Sequence, residues 1–177
     1  MIRRAALDIE TLDLAPTAVI LSIGVAVFAP SGEVVDTFYS PLRRDDQEWV
    51  GRTTNADTLA WWQQQSPEAR AILHTKGTAV HWVLEDLSHF LTKHQVEGVY
   101  GWGADFDNAT VRCLARSLGQ PEPWHYRMNR CGRTVVALAG NRIVPPERVG
   151  THHNALDDAI FQARHIASAL RVLTPEQ

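Results

Sequence analysis

The chain has 177 residues, 45% of them hydrophobic and 21% charged, a composition that builds one soluble domain with an ordinary core and excludes disorder, collagen-like repeats and charge-dense tails. Lys and Arg total 17 against 20 Asp and Glu, a formal net charge of −3, so no basic excess announces a polyanionic partner. The two cysteines, Cys113 and Cys131, form neither a CxxC pair nor a zinc-finger pattern, and the expectation is reduced thiols in a cytoplasmic protein.

In chain order, Arg3 to Leu12 alternates at period two, with Leu7 and Ile9 on one face of a strand and Asp8 and Glu10 on the other. Two carboxylates side by side on one face repel unless something positive lies over them. Val19 to Phe28 reads as a second strand, with Val19, Leu21, Ile23, Val25 and Val27 on one face. Its other face carries Ser22, Gly24 and Ala26, small enough for close packing. The apolar run Val19 to Ala29 is too short to span a bilayer and starts too late for a signal sequence, so no membrane association is expected.

Pro30-Ser31-Gly32 supplies a turn into a third, antiparallel strand from Glu33 to Tyr39. The polar stretch Pro41 to Asn55 reads as a loop and Thr58 to Gln65 as a short helix; Ser66-Pro67-Glu68 then carries a cap, a first-turn proline and an acid. Thr78 can cap a longer helix that buries Val80, Val83, Leu84, Leu87 and Leu91. Glu97 to Trp102 reads as a fourth strand, followed by a helix with Val111, Leu114, Ala115 and Leu118 on one stripe, closed by Gly119. A short helix over Arg133 to Ala139 and a long one from Ala155 to Leu173 complete the chain. With no linker or internal repeat, residues 1–177 read as a single domain, one mixed sheet with helices on its faces.

Three segments concentrate chemistry. Asp8-Ile9-Glu10 puts a carboxylate pair on a strand whose flanks are apolar, which makes simple solvation uncomfortable. Gly101 to Asp107 runs from a strand into glycines and acids before a helix, the junction where α/β sheets place functional groups; a helix-capping role for Asp105 or Asp107 is the plain alternative. Thr151 to Asp158 opens the last helix, with His153 five residues before Asp158; there Asn154 as a cap and acids answering the helix dipole are the plain alternative.

Together these segments resemble the DEDDh group of 3′→5′ exonucleases, the group of ribonuclease T, oligoribonuclease and the proofreading subunit of replicative polymerase. The Asp-x-Glu motif is matched by Asp8 and Glu10, the Phe-Asp motif by Phe106-Asp107, and His-x-Ala-x-x-Asp by His153, Ala155 and Asp158. Order and spacing fit across about residues 5 to 170. Within the group the chain is similar to the compact bacterial and phage branch of mycobacterial type, through Thr58 to Gln65, Glu68-Ala69-Arg70 and Arg133-Thr134. It departs where relatives carry His-Asn-x-x-Phe-Asp and this chain has Trp102-Gly103-Ala104-Asp105, which leaves Asp105 open beside Asp107.

The resemblance implies a ribonuclease H-like, mixed five-stranded sheet with helices on both faces. It implies a metal-dependent 3′→5′ exonuclease acting on single-stranded ends or 3′ overhangs, with RNA favoured through the branch likeness. The alternatives are the same activity on DNA and a catalytically silent nucleic-acid-binding domain. Bringing hydroxide to an anionic phosphodiester suits two hard cations about 3.5–4 Å apart, Mg²⁺ or Mn²⁺, on oxygen ligands. By the family pattern Asp8 bridges both ions, Glu10 and Asp158 hold the nucleophile-side ion, Asp107 serves the other, and His153 is the general base, with His152 structural. For substrate the resemblance points to Thr11 at the terminal 3′-hydroxyl and Leu12 as a wedge against the last base. Trp62 is a candidate for stacking, with Trp61 or Trp62 left open as the one that faces the site, and Arg133 is a candidate phosphate contact. Relatives such as ribonuclease T and oligoribonuclease imply a homodimer.

Overall fold

The computed structural model describes residues 3–103 and 105–174. The sheet has five strands in the order β3-β2-β1-β4-β5. They are β1 (Arg3–Thr11), β2 (Ile20–Phe28), β3 (Val34–Pro41), β4 (Val96–Gly101) and β5 (Asn129–Cys131). β1 pairs antiparallel with β2 and parallel with β4, and β4 pairs parallel with β5, so the sheet is mixed with the acidic strand at its centre.

Both faces are covered. On one, Ala5, Leu7 and Ile9 of β1 and Ile23, Val25 and Val27 of β2 form a core with α4 (Val80–Lys93) and α5 (Asp107–Ser117). The expected apolar stripes of these helices are the buried ones, Val80, Val83, Leu84, Leu87 and Leu91 on α4 and Val111, Leu114 and Ala115 on α5. On the other face Ala6, Ala26, Phe28 and Tyr100 pack against Ala159, Ala163 and Ile166 of α7 (Ala155–Leu173). The short α6 (Gly132–Ala139) lies against α7.

The single face expected for Val19 to Val27 is broken. Glu10 faces Ser22 but Thr11 faces Ile20, so Leu21 is an extra residue in the ladder and the alternation inverts there. Ile20 therefore joins the core with α4 and α5, while Val19 and Leu21 join a separate cluster with Leu12, Trp62, Ala69 and Ile72.

Pro41 to Asn55 is more ordered than a loop. It contains α1 (Asp45–Glu48), whose Gln47 is fully buried and exchanges hydrogen bonds with Ile20, N–H to Oε1 at 2.8 Å and Nε2 to the carbonyl at 2.8 Å. Arg52 is also buried and donates to the carbonyls of Ala18 and Pro16 at 2.7 and 3.0 Å. Thr78 does not cap α4; Ala79 occupies the cap position and the Asp46 carboxylate accepts the Val80 N–H at 3.0 Å. Between these segments lie α2 (Ala56–Trp62), capped by Asn55, and α3 (Pro67–Arg70), capped by Ser66.

Candidate active site

The even-numbered side chains of β1 that follow Ala6 are Asp8 and Glu10, so the face covered by α7 becomes acidic toward the strand's C-terminal end. α7 is brought down onto that face by Gly24 of β2, where a Cβ would lie 2.2 Å from the Ala155 carbonyl carbon and oxygen. Such a distance is open only to glycine, and it sets the first turn of α7 directly over the strand pair. Asn154 caps the helix, accepting from Leu156 and Asp157 N–H at 3.0 and 3.2 Å. Asp157 turns back to the Thr151 N–H at 2.7 Å, while Asp158 is buried at the site. The cap and the acid that lines the cavity thus coexist.

His153 adopts φ 62°, a left-handed backbone unusual for a residue with a side chain. Its N–H donates to Asp158 Oδ2 at 3.0 Å, and its ring stands nearly perpendicular to Trp61, 4.7 Å between centroids. One donor atom each from Glu10, His153 and Asp158 lie within 4.8 Å of one another, a group that can hold a metal ion. From β4, Gly101 allows the N-terminus of α5 to close in, since a Cβ there would meet Asn108 Oδ1 at 2.4 Å. Asp107, buried in the first turn of α5, accepts the Trp102 N–H at 2.8 Å; it faces the site and does not cap its helix.

Asp8, Glu10, Asp107, His153 and Asp158 line one cavity of about 430 Å³, with Arg133, Arg148, Phe161, Gln162 and His152 around them. Asp105 also borders this cavity but is exposed and lies outside the metal-holding group. Gln162 Nε2 donates to Asp8 Oδ1 at 2.6 Å, and its own Oε1 is buried without a partner.

Burial pushes Asp8 well above the usual carboxylate range, reinforced by Asp107, Glu10 and Asp158. Glu10 is pushed up to about 8, by burial first and then by Asp158 and Asp107. Burial likewise raises Asp107 to about 6. Among the described residues no ion pair reaches Asp8, Glu10 or Asp107. Desolvated carboxylates in this state favour a cation, and four carboxylates beside one imidazole fit divalent ions such as Mg²⁺ or Mn²⁺. His153 is shifted down, first by burial and then by His152. His152, expected to be structural, lines the cavity with its ring 3.9 Å from that of His153.

A second, apolar cavity of about 340 Å³ shares Ile9, Glu10 and Phe106 with the first and is otherwise lined by Thr11, Leu14, Asp57, Thr58, Trp61 and Trp62. Thr11 is at its wall, with its carbonyl accepting Trp62 Nε1 at 2.9 Å. Leu12, expected as the wedge, is 4% exposed and packed with Val19, Leu21 and Trp62. Leu14, 77% exposed, lines the cavity in its place. Trp62 is 1% exposed and belongs to that same core cluster, so the tryptophan with a free face is Trp61. Sequence reasoning did not find Arg148, Phe161 or Gln162. Of these Phe161 and Gln162 carried a signal, lying three and four residues after Asp158 and so on the same helix face.

Three comparisons with known proteins bear on this arrangement. The family model for the 3′-5′ exoribonuclease Rv2179c-like domain matches residues 3–170. An exodeoxyribonuclease of phage T4 is 28% identical over 125 residues, 63% of this chain and 55% of that protein, so the chain spans about half the length of this curated relative. Escherichia coli exonuclease I, in a metal-free complex with single-stranded DNA, superposes with a TM-score of 0.64 at 14% identity, over 99% of this chain and 41% of that one. Pop2p of S. pombe, in a form with Mg²⁺ and Mn²⁺ bound, gives 0.61 at 13% identity, over 94% of this chain and 82% of that one. These likenesses establish the ribonuclease H-like fold of DEDD-type exonucleases.

Proposed function

We propose, because the chain belongs to the family of Rv2179c-like 3′-5′ exoribonuclease domains, that its acidic cavity hydrolyses phosphodiesters at single-stranded 3′ ends or 3′ overhangs and releases nucleoside 5′-monophosphates. RNA is the favoured substrate. The observation that carries this reading is the meeting of Asp8, Glu10, Asp107, Asp158 and His153 in one cavity that adjoins the apolar one beside Trp61.

In this reading Asp8, Glu10, Asp158 and Asp107 hold two divalent cations, Mg²⁺ or Mn²⁺. When bound, such ions lower the pKa of the attacking water and steady the leaving oxygen. His153, held toward its neutral form by burial and by His152, accepts the proton from that water. Gln162 orients Asp8 through its amide. Trp61 offers a face for the terminal base, Leu14 a flank, and Arg133 a charge for a phosphate. No described helix is long and apolar enough to cross a membrane, and Cys113 and Cys131 are free thiols, which supports a cytoplasmic setting.

A second reading, the same chemistry on DNA, is favoured by the relative in phage T4. A time course on matched RNA and DNA strands, single-stranded and with 3′ overhangs, in Mg²⁺ or Mn²⁺, separates the two. The expected outcome is mononucleotide release from the 3′ end, faster on RNA. Asp8→Ala and His153→Ala should each lower the rate by about 10²-fold or more. Unchanged rates in both variants would show that the cavity is not the catalytic site, and binding without any hydrolysis would mark a silent fold.

A further inference from the structure

Arg148 lies on the segment between α6 and α7, and among the described residues its guanidinium meets Asp158 and Phe161. It pairs with Asp158 Oδ1, and it lies over the ring of Phe161, 4.3 Å from the centroid. Phe161 is three residues beyond Asp158 on α7, so the carboxylate and the ring stand next to each other as one seat. The second oxygen of Asp158, Oδ2, is taken by the His153 N–H. Both oxygens of this acid are therefore engaged while it also belongs to the group, with Glu10 and His153, that can hold a metal ion.

A divalent cation on Asp158 and a guanidinium on the same carboxylate are two positive charges a few ångströms apart in a partly desolvated cavity, and they repel. The ring of Phe161 is the part of the seat that survives loss of the carboxylate, because an arginine over an aromatic face keeps its attraction. From there the guanidinium faces the cavity that Arg133 also lines, and its planar fork matches the two non-bridging oxygens of a phosphodiester.

Resting on the two-cation reading above, we propose that Arg148 is a phosphate-binding residue released by metal uptake. Before the cations arrive it neutralises Asp158; when they bind, Asp158 turns to the metal and Arg148, still backed by Phe161, turns to the substrate. The enzyme thereby couples readiness for substrate to occupancy of its metal site, using one arginine as both stand-in cation and clamp.

Calorimetric titration of the full chain with Mn²⁺, without nucleic acid, tests the first half. Arg148→Gln should bind Mn²⁺ about three- to fivefold more tightly than wild type, the range a part-exposed ion pair supports. Arg148→Lys keeps the charge and should stay near the wild-type affinity. Steady-state kinetics on a short oligonucleotide at saturating Mn²⁺ test the second half: KM for Arg148→Gln should rise about tenfold, and by more than kcat falls. Equal or weaker Mn²⁺ binding by Arg148→Gln overturns the exchange, and an unchanged KM overturns the clamp. Wild type that binds Mn²⁺ yet hydrolyses nothing would sink the nuclease reading while the Mn²⁺ comparison still decides the exchange. Wild type that takes up no Mn²⁺ removes both. Should Arg148→Gln not fold, Arg148→Met carries the same two expectations and the same two ways to fail.

Discussion

Trp61 keeps 39% of its surface exposed and meets the His153 ring, whereas Trp62 is 1% exposed and donates its indole N–H to the Thr11 carbonyl. Their substitutions should therefore separate binding from stability. Trp61→Ala should raise KM for an oligonucleotide about tenfold, within the roughly 1–3 kcal/mol of a base–aromatic stack, with little change in Tm. Trp62→Ala should cost about 3–5 kcal/mol and lower Tm by about 6–20 °C. Thermal melting and steady-state kinetics on both variants check the pair; a KM effect confined to Trp62→Ala with Tm intact would reverse the assignment. The sequence put two tryptophans side by side on a short helix, where only one can face inward. Which one does depends on a carbonyl 51 residues away, beyond any local pattern. Arg148 was hidden for the same reason, since its role comes from α7 folding back beside it and its own segment carries no periodicity.

Of the elements with clear periodicity in sequence, β1 buries Leu7 and Ile9, α4 buries Val80, Val83, Leu84, Leu87 and Leu91, and α5 buries Val111, Leu114 and Ala115, while Leu118 falls just past its end and is half-buried. What was not legible is held by contacts between distant segments. α1 is four polar residues with no apolar face, and it exists because the buried Gln47 amide completes the hydrogen bonding of Ile20. The start of α4 is set by Asp46, 34 residues upstream, and no local cap pattern could announce it. The small face of β2, by contrast, was readable, and it yields a prediction about how an element positions chemistry. Gly24→Ala would drive a methyl group into the Ala155 backbone at 2.2 Å, and neither β2 nor the first turn of α7 is a flexible side-chain tip that can swing aside. We expect a loss of about 3 kcal/mol, hence a fall in Tm of about 6–12 °C. Because that turn carries Asp158, and His153 lies immediately before its cap Asn154, Mn²⁺ affinity at a temperature where the variant remains folded should fall too. Gly24→Ala with wild-type Tm and Mn²⁺ affinity would show that α7 is not fixed at this point.

At the scale of the whole molecule, the net charge of −3 conceals a division of labour. With Asp8, Glu10, Asp107 and Asp158 set aside, the basic side chains outnumber the remaining acids by one, and two divalent cations match the four carboxylates charge for charge. A weakly acidic chain is thus compatible with a polyanionic substrate once metal is bound, and nucleic-acid binding should be poor without it. Three of these acids, Asp8, Glu10 and Asp107, set how stability depends on pH. Glu10 is raised from 4.5 to about 8 in the fold, and Asp8 is raised in the same direction. A carboxyl whose folded pKa lies above its unfolded value binds more protons in the native state. Its contribution to stability is therefore full below the unfolded pKa and is lost as pH rises through the folded one. Asp107 loses its share near pH 6, and the downward shifts of His153 and His165 act below about 6.5, where they favour the fold as pH rises. The window from about pH 7 to 9 thus isolates Glu10, with Asp8 beside it. Across that window the metal-free protein should lose several degrees of Tm. With saturating Mg²⁺, which binds the ionised carboxylates and so stabilises the native state by linkage, the loss should be much smaller. The Mg²⁺-induced rise in Tm should accordingly grow from pH 7 to 9. Glu10→Gln, which cannot ionise, should melt with a flatter metal-free pH profile than wild type. Parallel thermal melts with EDTA and with Mg²⁺ at half-unit pH steps measure all three slopes. A metal-induced rise that stays constant or shrinks with pH would show that proton release from Glu10 and Asp8 does not accompany cation binding.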